Sequence, residues 1–204
     1  MSQREMVILA NSIKNGAYCV AGKCTDNNEW VRPVSSNMGD ALSYNQVLCN
    51  NPYGSFKVKP LQKVKVGFDK PVPQINQPEN FLIDSSTWTQ NFKINNYELT
   101  RLLDAPDSLW GEDSAISFNA IATKQINIPQ SLYLVQVENL ILSKSSDDKR
   151  RAKFTYNCIS YDLPVTDPMF DSLIEEEAVL QGILCISLGE VFHGSCYKIV
   201  ASIF

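Results

Sequence analysis

Residues 6–35 read MVILANSIKNGAYCVAGKCTDNNEWVRPVS, and this stretch decides the fold class. Short apolar runs alternate with turn-forming clusters at Asn15-Gly16 and Asp26–Asn28, and a spacing of roughly 8 to 12 residues between turns is typical of a strand meander. We therefore predict three consecutive antiparallel strands. Pro33 has no backbone N–H and holds Arg32 in an extended conformation, so the third strand is expected to end there.

The rest of the chain continues with short strands and few helices. Residues 61–68, LQKVKVGF, alternate apolar and polar side chains, as expected for a half-buried strand. Residues 131–162 predict a hairpin, and residues 183–188 and 196–204 predict the last two strands. A short helix is predicted over residues 96–103, with Asn95 or Asn96 as its N-cap.

Strands that close into barrels leave no exposed sheet edge, so this pattern favours an all-β fold. Two small barrels of about five strands each would use most of the 204 residues. We place the boundary near residue 128, which assigns residues 1–128 to the first barrel and residues 129–204 to the second. Residues 69–96 combine prolines with apolar side chains, and we expect them to form an ordered crossover on the first barrel.

Seven short segments stand in order along nearly the whole chain: Ile8–Ser12, Cys19–Gly22, Glu29–Val34, Gln77–Asn80, Thr166–Pro168, Ser187–Glu190 and Tyr197–Ala201. Together they resemble an uncharacterised bacterial family of dual OB-fold proteins. The resemblance implies an all-β chain with short helices, in which two small OB-like barrels pack together. It also implies a role as a recognition or accessory subunit of a bacterial conflict or phage-defence system, which the residues themselves do not show.

The composition narrows the possible partners. A net charge of −4 and a pI near 5.1 argue against a protein that coats nucleic acid indiscriminately, because that role needs a broad basic surface. No apolar run approaches the roughly 18 to 20 residues of a membrane span, and the chain does not open with a signal sequence. We expect a cytoplasmic protein without a membrane partner.

Six cysteines form no Cys-x-x-Cys pair, and His193 is the single histidine, so no metal or cofactor site is expected.

An OB barrel binds single-stranded nucleic acid or oligosaccharide on one sheet face, with aromatic rings and a few cations. Two clusters fit this chemistry, and His193 lies in a predicted hairpin loop from which it could reach a ligand. The first cluster comprises Tyr18, Lys23, Trp30 and Arg32; the second comprises Lys149, Arg150, Arg151, Lys153, Phe154 and Tyr156. The alternative is structural: Trp30, Phe154 and Tyr156 could face the core, and Lys149–Lys153 could be a solvated hairpin tip.

The sequence holds no catalytic motif. Asp167 suits a helix N-cap and Pro168 the first helical position, which explains both residues without catalysis. We expect a non-enzymatic binding module that recognises nucleic acid, preferably single-stranded, or a nucleotide-like ligand. The alternative is a protein–protein interaction adaptor for a neighbour-encoded enzyme, which the acidic pI favours. A hydrolase acting through Asp167 or His193 is a third and weaker hypothesis.

Overall fold

A computed structural model describes residues 2–14, 16–175, 180 and 182–204. Asn15, which belongs to the first predicted turn, lies outside the described residues. The strands are β1 (Ser2–Lys14), β2 (Ala17–Cys24), β3 (Trp30–Val34), β4 (Leu48–Asn51), β5 (Gly54–Lys57), β6 (Gln62–Pro71), β7 (Asn80–Ile83), β8 (Trp88–Lys93), β9 (Ala115–Ser117), β10 (Leu132–Gln136), β11 (Glu138–Lys144), β12 (Arg150–Tyr156), β13 (Ile159–Pro164), β14 (Ile183–Phe192) and β15 (Ser195–Ile203). The helices are α1 (Asn96–Thr100), α2 (Phe118–Ala122) and α3 (Phe170–Glu175), with a 3-10 turn at Asn45–Val47. No helix among the described residues is long and apolar enough to cross a membrane.

The chain divides into two compact units. The first unit comprises Met1–Gln74 and Pro78–Leu102, and the second comprises Ile75–Gln77 and Leu103–Phe204. This division differs from the boundary that the sequence indicates near residue 128. Residues 103–128 join the second unit because the backbone and side chain of Asp104 both bond the backbone of Leu134, and because β9 pairs with β15.

The first unit contains a closed five-stranded barrel. Strands β1, β2, β3, β7 and β6 pair in that order, and β1 pairs with β6 to close the ring. The contact between β3 and β7 is parallel, whereas the other contacts of the ring are antiparallel. The three predicted opening strands are present, and the barrel has the strand number of an OB fold.

β1 pairs with two strands, β6 and β2, because it bends. Its first half pairs with β6 and its second half with β2, and the register with β2 shifts between Ile8 and Ala10, as in a β-bulge. Gly22 faces this bend. A Cβ atom on Gly22 would lie 1.9 Å from the carbonyl oxygen of Val7, so only glycine permits this close approach.

β3 continues through Pro33 to Val34, contrary to the prediction that Pro33 would end it. The pairing of β2 with β3 covers only Trp30 and Val31, so Pro33 lies where β2 requires no N–H from β3. On the opposite edge, Arg32, Pro33 and Val34 run parallel to β7. A proline is tolerated in a strand where no ladder partner faces its nitrogen.

Residues 69–96, expected to be a crossover, supply strands to the first unit. β7 closes the barrel, and β8 extends the sheet from β6 towards β4 and β5. The predicted helix is present as α1, and Asn95 caps it: its side chain accepts the N–H of Glu98, whose carboxylate accepts the N–H of Asn95.

The second unit contains two sheets: β10, β14, β15 and β9 form one, and β11, β12 and β13 form the other. β10 and β11 are separated by a single residue and act as one bent first strand; β10 pairs with β14, and β11 pairs with β12. The pairs β12–β13 and β14–β15 continue these two sheets. A parallel bridge between Val165 and Val200 joins the end of β13 to β15, and Phe170 of α3 is fully buried in the core. The predicted all-β architecture with two OB-like barrels is thereby confirmed.

The predicted hairpin over residues 131–162 contains a second turn. Asn157 and Cys158 both adopt positive φ angles, 47° and 63°, and separate β12 from β13. Three antiparallel strands, β11, β12 and β13, therefore form one sheet with an inner and an outer face.

Candidate nucleic-acid interface

The first predicted cluster lies mostly in the interior. Lys23, Trp30 and Arg32 are only 4%, 6% and 8% exposed, although they occupy β2 and β3, the strands that OB folds use for binding. The ammonium group of Lys23 donates to the carbonyl oxygen of Leu102 at 2.7 Å and lies 5.3 Å from the ring centroid of Trp30. Trp30 therefore offers no open ring face for stacking. It is buried, as the structural alternative predicts.

Arg32 supports the loop that leads into β7. Its guanidinium Nε lies 3.2 Å from a carboxylate oxygen of Glu79, and its backbone N–H donates to the carbonyl oxygen of the same residue. Both side chains are buried, so the pair fixes the entry to β7 instead of presenting a cation to a ligand.

Tyr18 is the member of the first cluster nearest to solvent. It is half-buried, and its backbone exchanges hydrogen bonds with Leu42. Its ring lies edge-on to Tyr44, with centroids 6.2 Å apart, and the ammonium group of Lys57 lies 5.3 Å from its centroid. The structure thus places Tyr18 beside residues that the sequence did not indicate, and away from the buried set.

The second predicted cluster divides between the two faces of β12. Phe154 and Tyr156 face the core, where Phe154 stacks on Tyr161 with centroids 5.5 Å apart. The hydroxyl of Tyr156 donates to the carbonyl oxygen of Pro106 at 2.7 Å, and burial raises the pKa of the Tyr156 hydroxyl. The expectation that both rings form a stacking surface is not met, because the inward face of β12 fills the barrel.

Arg151 and Lys153 alternate with these rings and point outwards. The Nε of Arg151 donates to a carboxylate oxygen of Asp162 at 2.8 Å, and Lys153 lies 4.0 Å from the same carboxylate. The outer surface of β12 and β13 contains a shallow depression of about 330 Å³. Residues that line it include Asn139, Lys153, Thr155, Ser160 and Asp162.

The loop between β11 and β12 is rich in charges of both signs. Hydrogen bonds from Lys149 and then Ser145 lower the pKa of Asp147 to about 2. Asp171 accepts from Lys144 and Arg150, and these contacts lower the pKa of its carboxyl group. Each cation of residues 144–150 therefore has a carboxylate neighbour, which matches a solvated hairpin tip more closely than a phosphate site.

His193 lies in the tight turn between β14 and β15 and has a positive φ of 48°. Its ring is 4.1 Å from that of Phe192, and Phe192 lies 6.4 Å from Tyr197. Phe192, His193 and Tyr197 form an exposed aromatic tip, and Val191 beside them is also exposed. Of these residues, the sequence indicated only His193. In the sequence, the signal for this tip is the apolar pair Val191-Phe192 directly before a His-Gly turn.

Two OB-like barrels in one chain define a dual OB-fold protein. The chain belongs to the dual OB-containing domain family, which it matches over residues 4–203. No curated protein matches it in sequence. Among solved structures, the tetrameric p202 HIN2 is similar over 100% of this chain and 93% of its own, with 6% sequence identity and a TM-score of 0.33. A likeness of that degree carries no conclusion about function.

Proposed function

We propose that this protein is a non-enzymatic module that binds single-stranded nucleic acid or a nucleotide-like ligand on the outer face of β12 and β13. The observation that supports it is a difference between the two barrels. The β2–β3 surface of the first unit is buried, whereas the β12–β13 surface of the second unit carries the exposed side chain of Lys153 and the partly exposed one of Arg151. OB folds bind ligands at this position.

The chemistry of the face suits a phosphodiester. Arg151 can donate through its planar fork, and Thr155 and Ser160 place hydroxyl groups on the same surface. Asp162 forms an ion pair with Arg151 and lies near Lys153, so this face carries two cations and one carboxylate. A phosphate that replaces Asp162 as the partner of Arg151 would still find Lys153 beside it.

The loops that flank the binding face of an OB fold complete the proposed site. In the second unit they are the β11–β12 loop and the β14–β15 turn, where Phe192, His193 and Tyr197 form the aromatic tip. Exposed rings can stack on bases, and each stacked base contributes about 1 to 3 kcal/mol. A role of this module as the recognition or accessory subunit of a defence system remains part of the proposal.

The test is a fluorescence anisotropy titration with labelled single-stranded DNA and RNA at low and physiological salt. Arg151→Ala/Lys153→Ala should weaken binding and reduce its dependence on salt, since this variant removes two cations that face phosphates. Lys124→Ala, at an exposed position of the same unit outside this face, is the control and should bind as the parent does. Absence of binding at low salt would exclude the nucleic-acid function.

A protein adaptor is the second candidate, and the apolar tip of the β14–β15 hairpin supports it. Val191, Phe192 and Tyr197 are 44%, 56% and 41% exposed, respectively, which is unusual for three large neighbouring side chains. A partner enzyme that docks there should be captured from native cells by the parent and not by Phe192→Ser/Tyr197→Ser. Equal capture by both proteins would contradict an adaptor role for this tip.

A further inference from the structure

The two units carry opposite charge. The first unit has 11 Lys and Arg residues against 8 Asp and Glu, a net charge of +3, whereas the second has 7 against 14, a net charge of −7. The summed electrostatic field of such a charge distribution steers charged ligands and raises their local concentration. A polyanion that contacts the β12–β13 face is repelled by much of the acidic second unit, so additional phosphate contacts on the basic first unit would strengthen its binding.

Cations and exposed rings cluster where β6, β8 and α1 adjoin in the first unit. We call it the β6–β8 patch, and it comprises Lys63, Lys65, Phe92, Lys93, Tyr97 and Arg101. Lys63 of β6 lies opposite Phe92 of β8, and Lys65 lies opposite Thr89. Phe92 is 71% exposed, although a phenylalanine in a paired strand is normally turned towards a core.

The patch continues around the end of β8 onto α1, because Lys93 lies opposite Gln62 and projects from the other side of β8 than Phe92 does. Lys93 and Tyr97 line one open depression of about 530 Å³, together with the polar residues Asn95 and Asn96. The guanidinium of Arg101 lies 4.6 Å from the ring centroid of Tyr97 and donates to its hydroxyl at 2.9 Å. Tyr97 is 68% exposed, so the second face of its ring is accessible to a ligand.

The cations of the patch are less neutralised than those near the β11–β12 loop. Lys63 lies 3.7 Å from Glu98, but in the part of the chain that the structure describes no carboxylate lies within 4.0 Å of Lys65, Lys93 or Arg101. Glu5 lies opposite Lys65 in the ladder between β1 and β6. Its two carboxylate oxygens accept hydrogen bonds from Asn91 and Thr25, not from Lys65. Three cations are thus available to phosphates.

We propose that the β6–β8 patch binds the backbone and bases of single-stranded nucleic acid, as a contact surface separate from the β12–β13 face. This inference rests on the proposed function. Charge complementarity selects a polyanion, and two exposed rings among the cations favour bases over an acidic peptide, since stacking is the contact that an aromatic platform adds. The patch lies on β6, β8 and α1, whereas OB folds bind with the surface that β2 and β3 supply here.

The test is an anisotropy titration of the full chain with labelled oligothymidylate and oligouridylate of about 20 nucleotides, which exceeds the site size of one OB fold. Lys65→Ala/Lys93→Ala should reduce affinity at least fivefold and lower the steepness of the salt dependence by about 1.4, at about 0.7 for each phosphate of a single strand that the protein no longer neutralises. Phe92→Ala should also weaken binding at least fivefold but leave the salt dependence unchanged, because it removes stacking and no charge.

Lys70→Ala is the matched control for Lys65, because both lysines are exposed residues of β6 and the change in charge is equal. It should bind as the parent does, and circular dichroism should show that every variant is folded. If the parent binds and the patch variants bind equally well, the inference is overturned while the proposed function stands. If the parent binds no oligonucleotide at low salt, both are overturned.

A third result would assign the patch to a second copy of the chain, whose acidic unit is also a polyanion. Salt-sensitive self-association in light scattering, abolished by Lys65→Ala/Lys93→Ala without any change in oligonucleotide affinity, would overturn the inference in favour of that interface.

Discussion

The ammonium group of Lys198 donates to the carbonyl oxygen of Gly111 across 2.7 Å, and the lysine is fully buried. The hydroxyl of Tyr161 donates to the same carbonyl at 3.0 Å, and the ammonium group lies 5.4 Å from the Tyr161 ring centroid. Burial lowers the pKa of Lys198 to about 8, opposed by the charge of Asp113. A charged group is thus held in the barrel by a carbonyl that already has another donor.

This pKa makes a prediction about stability and pH. Between about pH 8 and the ordinary lysine pKa of about 10.4, the unfolded chain keeps the Lys198 proton and the folded chain releases it, so the free energy of unfolding rises with pH through this group. Lys198→Met has a similar volume and removes this dependence. In urea unfolding, the advantage of Lys198→Met over the parent should shrink by about 2 kcal/mol between about pH 7.5 and 10. A stability difference between the two proteins that stays constant with pH would contradict a lowered pKa of Lys198.

The buried pair of Arg32 and Glu79 leads to a second prediction. Arg32→Ala leaves a buried carboxylate without the guanidinium, which should cost about 3 to 5 kcal/mol of stability. Glu79→Ala should cost a similar amount, and the double variant should lose much less than the sum. Urea unfolding of the four proteins measures this coupling, with exposed Arg101→Ala as a control expected to change stability by less than about 0.5 kcal/mol. Additive losses would show that the two side chains act independently.

Asp167 supplies a third prediction, which separates a structural role from catalysis. The sequence predicts it as the cap of a helix that starts at Pro168, but α3 begins at Phe170. One carboxylate oxygen accepts the N–H of Met169 and the other accepts the N–H of Ile203, each at 2.8 Å. Asp167→Asn puts an amide donor where one of these oxygens accepted, and an unmatched buried N–H costs about 1 to 3 kcal/mol. Thermal unfolding should show this loss. If stability were retained and a hydrolytic activity disappeared, the hydrolase hypothesis would replace the structural role.

The opening meander and the strand β6 could be predicted because turn residues and alternation are local signals. The turn at Asn157 and Cys158 could not, because a cysteine at positive φ has no recognisable signature where glycine would be usual. The division between the units differs from the expected boundary for another reason. Asp104 contacts Leu134 across thirty residues, and no local pattern reports a contact of that range.

The candidate site could be predicted only in part. Alternation along β12 shows that Arg151 and Lys153 share one face and that Phe154 and Tyr156 share the other, but it does not show which face is inward. Phe92 escaped notice for a related reason. The register between β6 and β8 shifts at Lys63, so a residue that simple alternation would turn inward lies opposite an outward lysine.

The cysteines provide the last prediction. All six lie among the described residues and none forms a disulfide; Cys158 is exposed, at the tip of the β12–β13 turn, whereas Cys24, Cys49, Cys185 and Cys196 are buried. Burial raises the pKa of Cys24, Cys49 and Cys196, which lowers the fraction of reactive thiolate.

A maleimide reagent should therefore label the native protein first at Cys158, followed by the half-buried Cys19. Peptide mass spectrometry after a short exposure identifies the sites, and denaturant should make all six react. Cys158→Ser should abolish the fast phase and leave the slower ones unchanged. Early labelling of Cys185 or Cys196 would show that the second barrel opens far more readily than its packed core requires, because both thiols are fully buried.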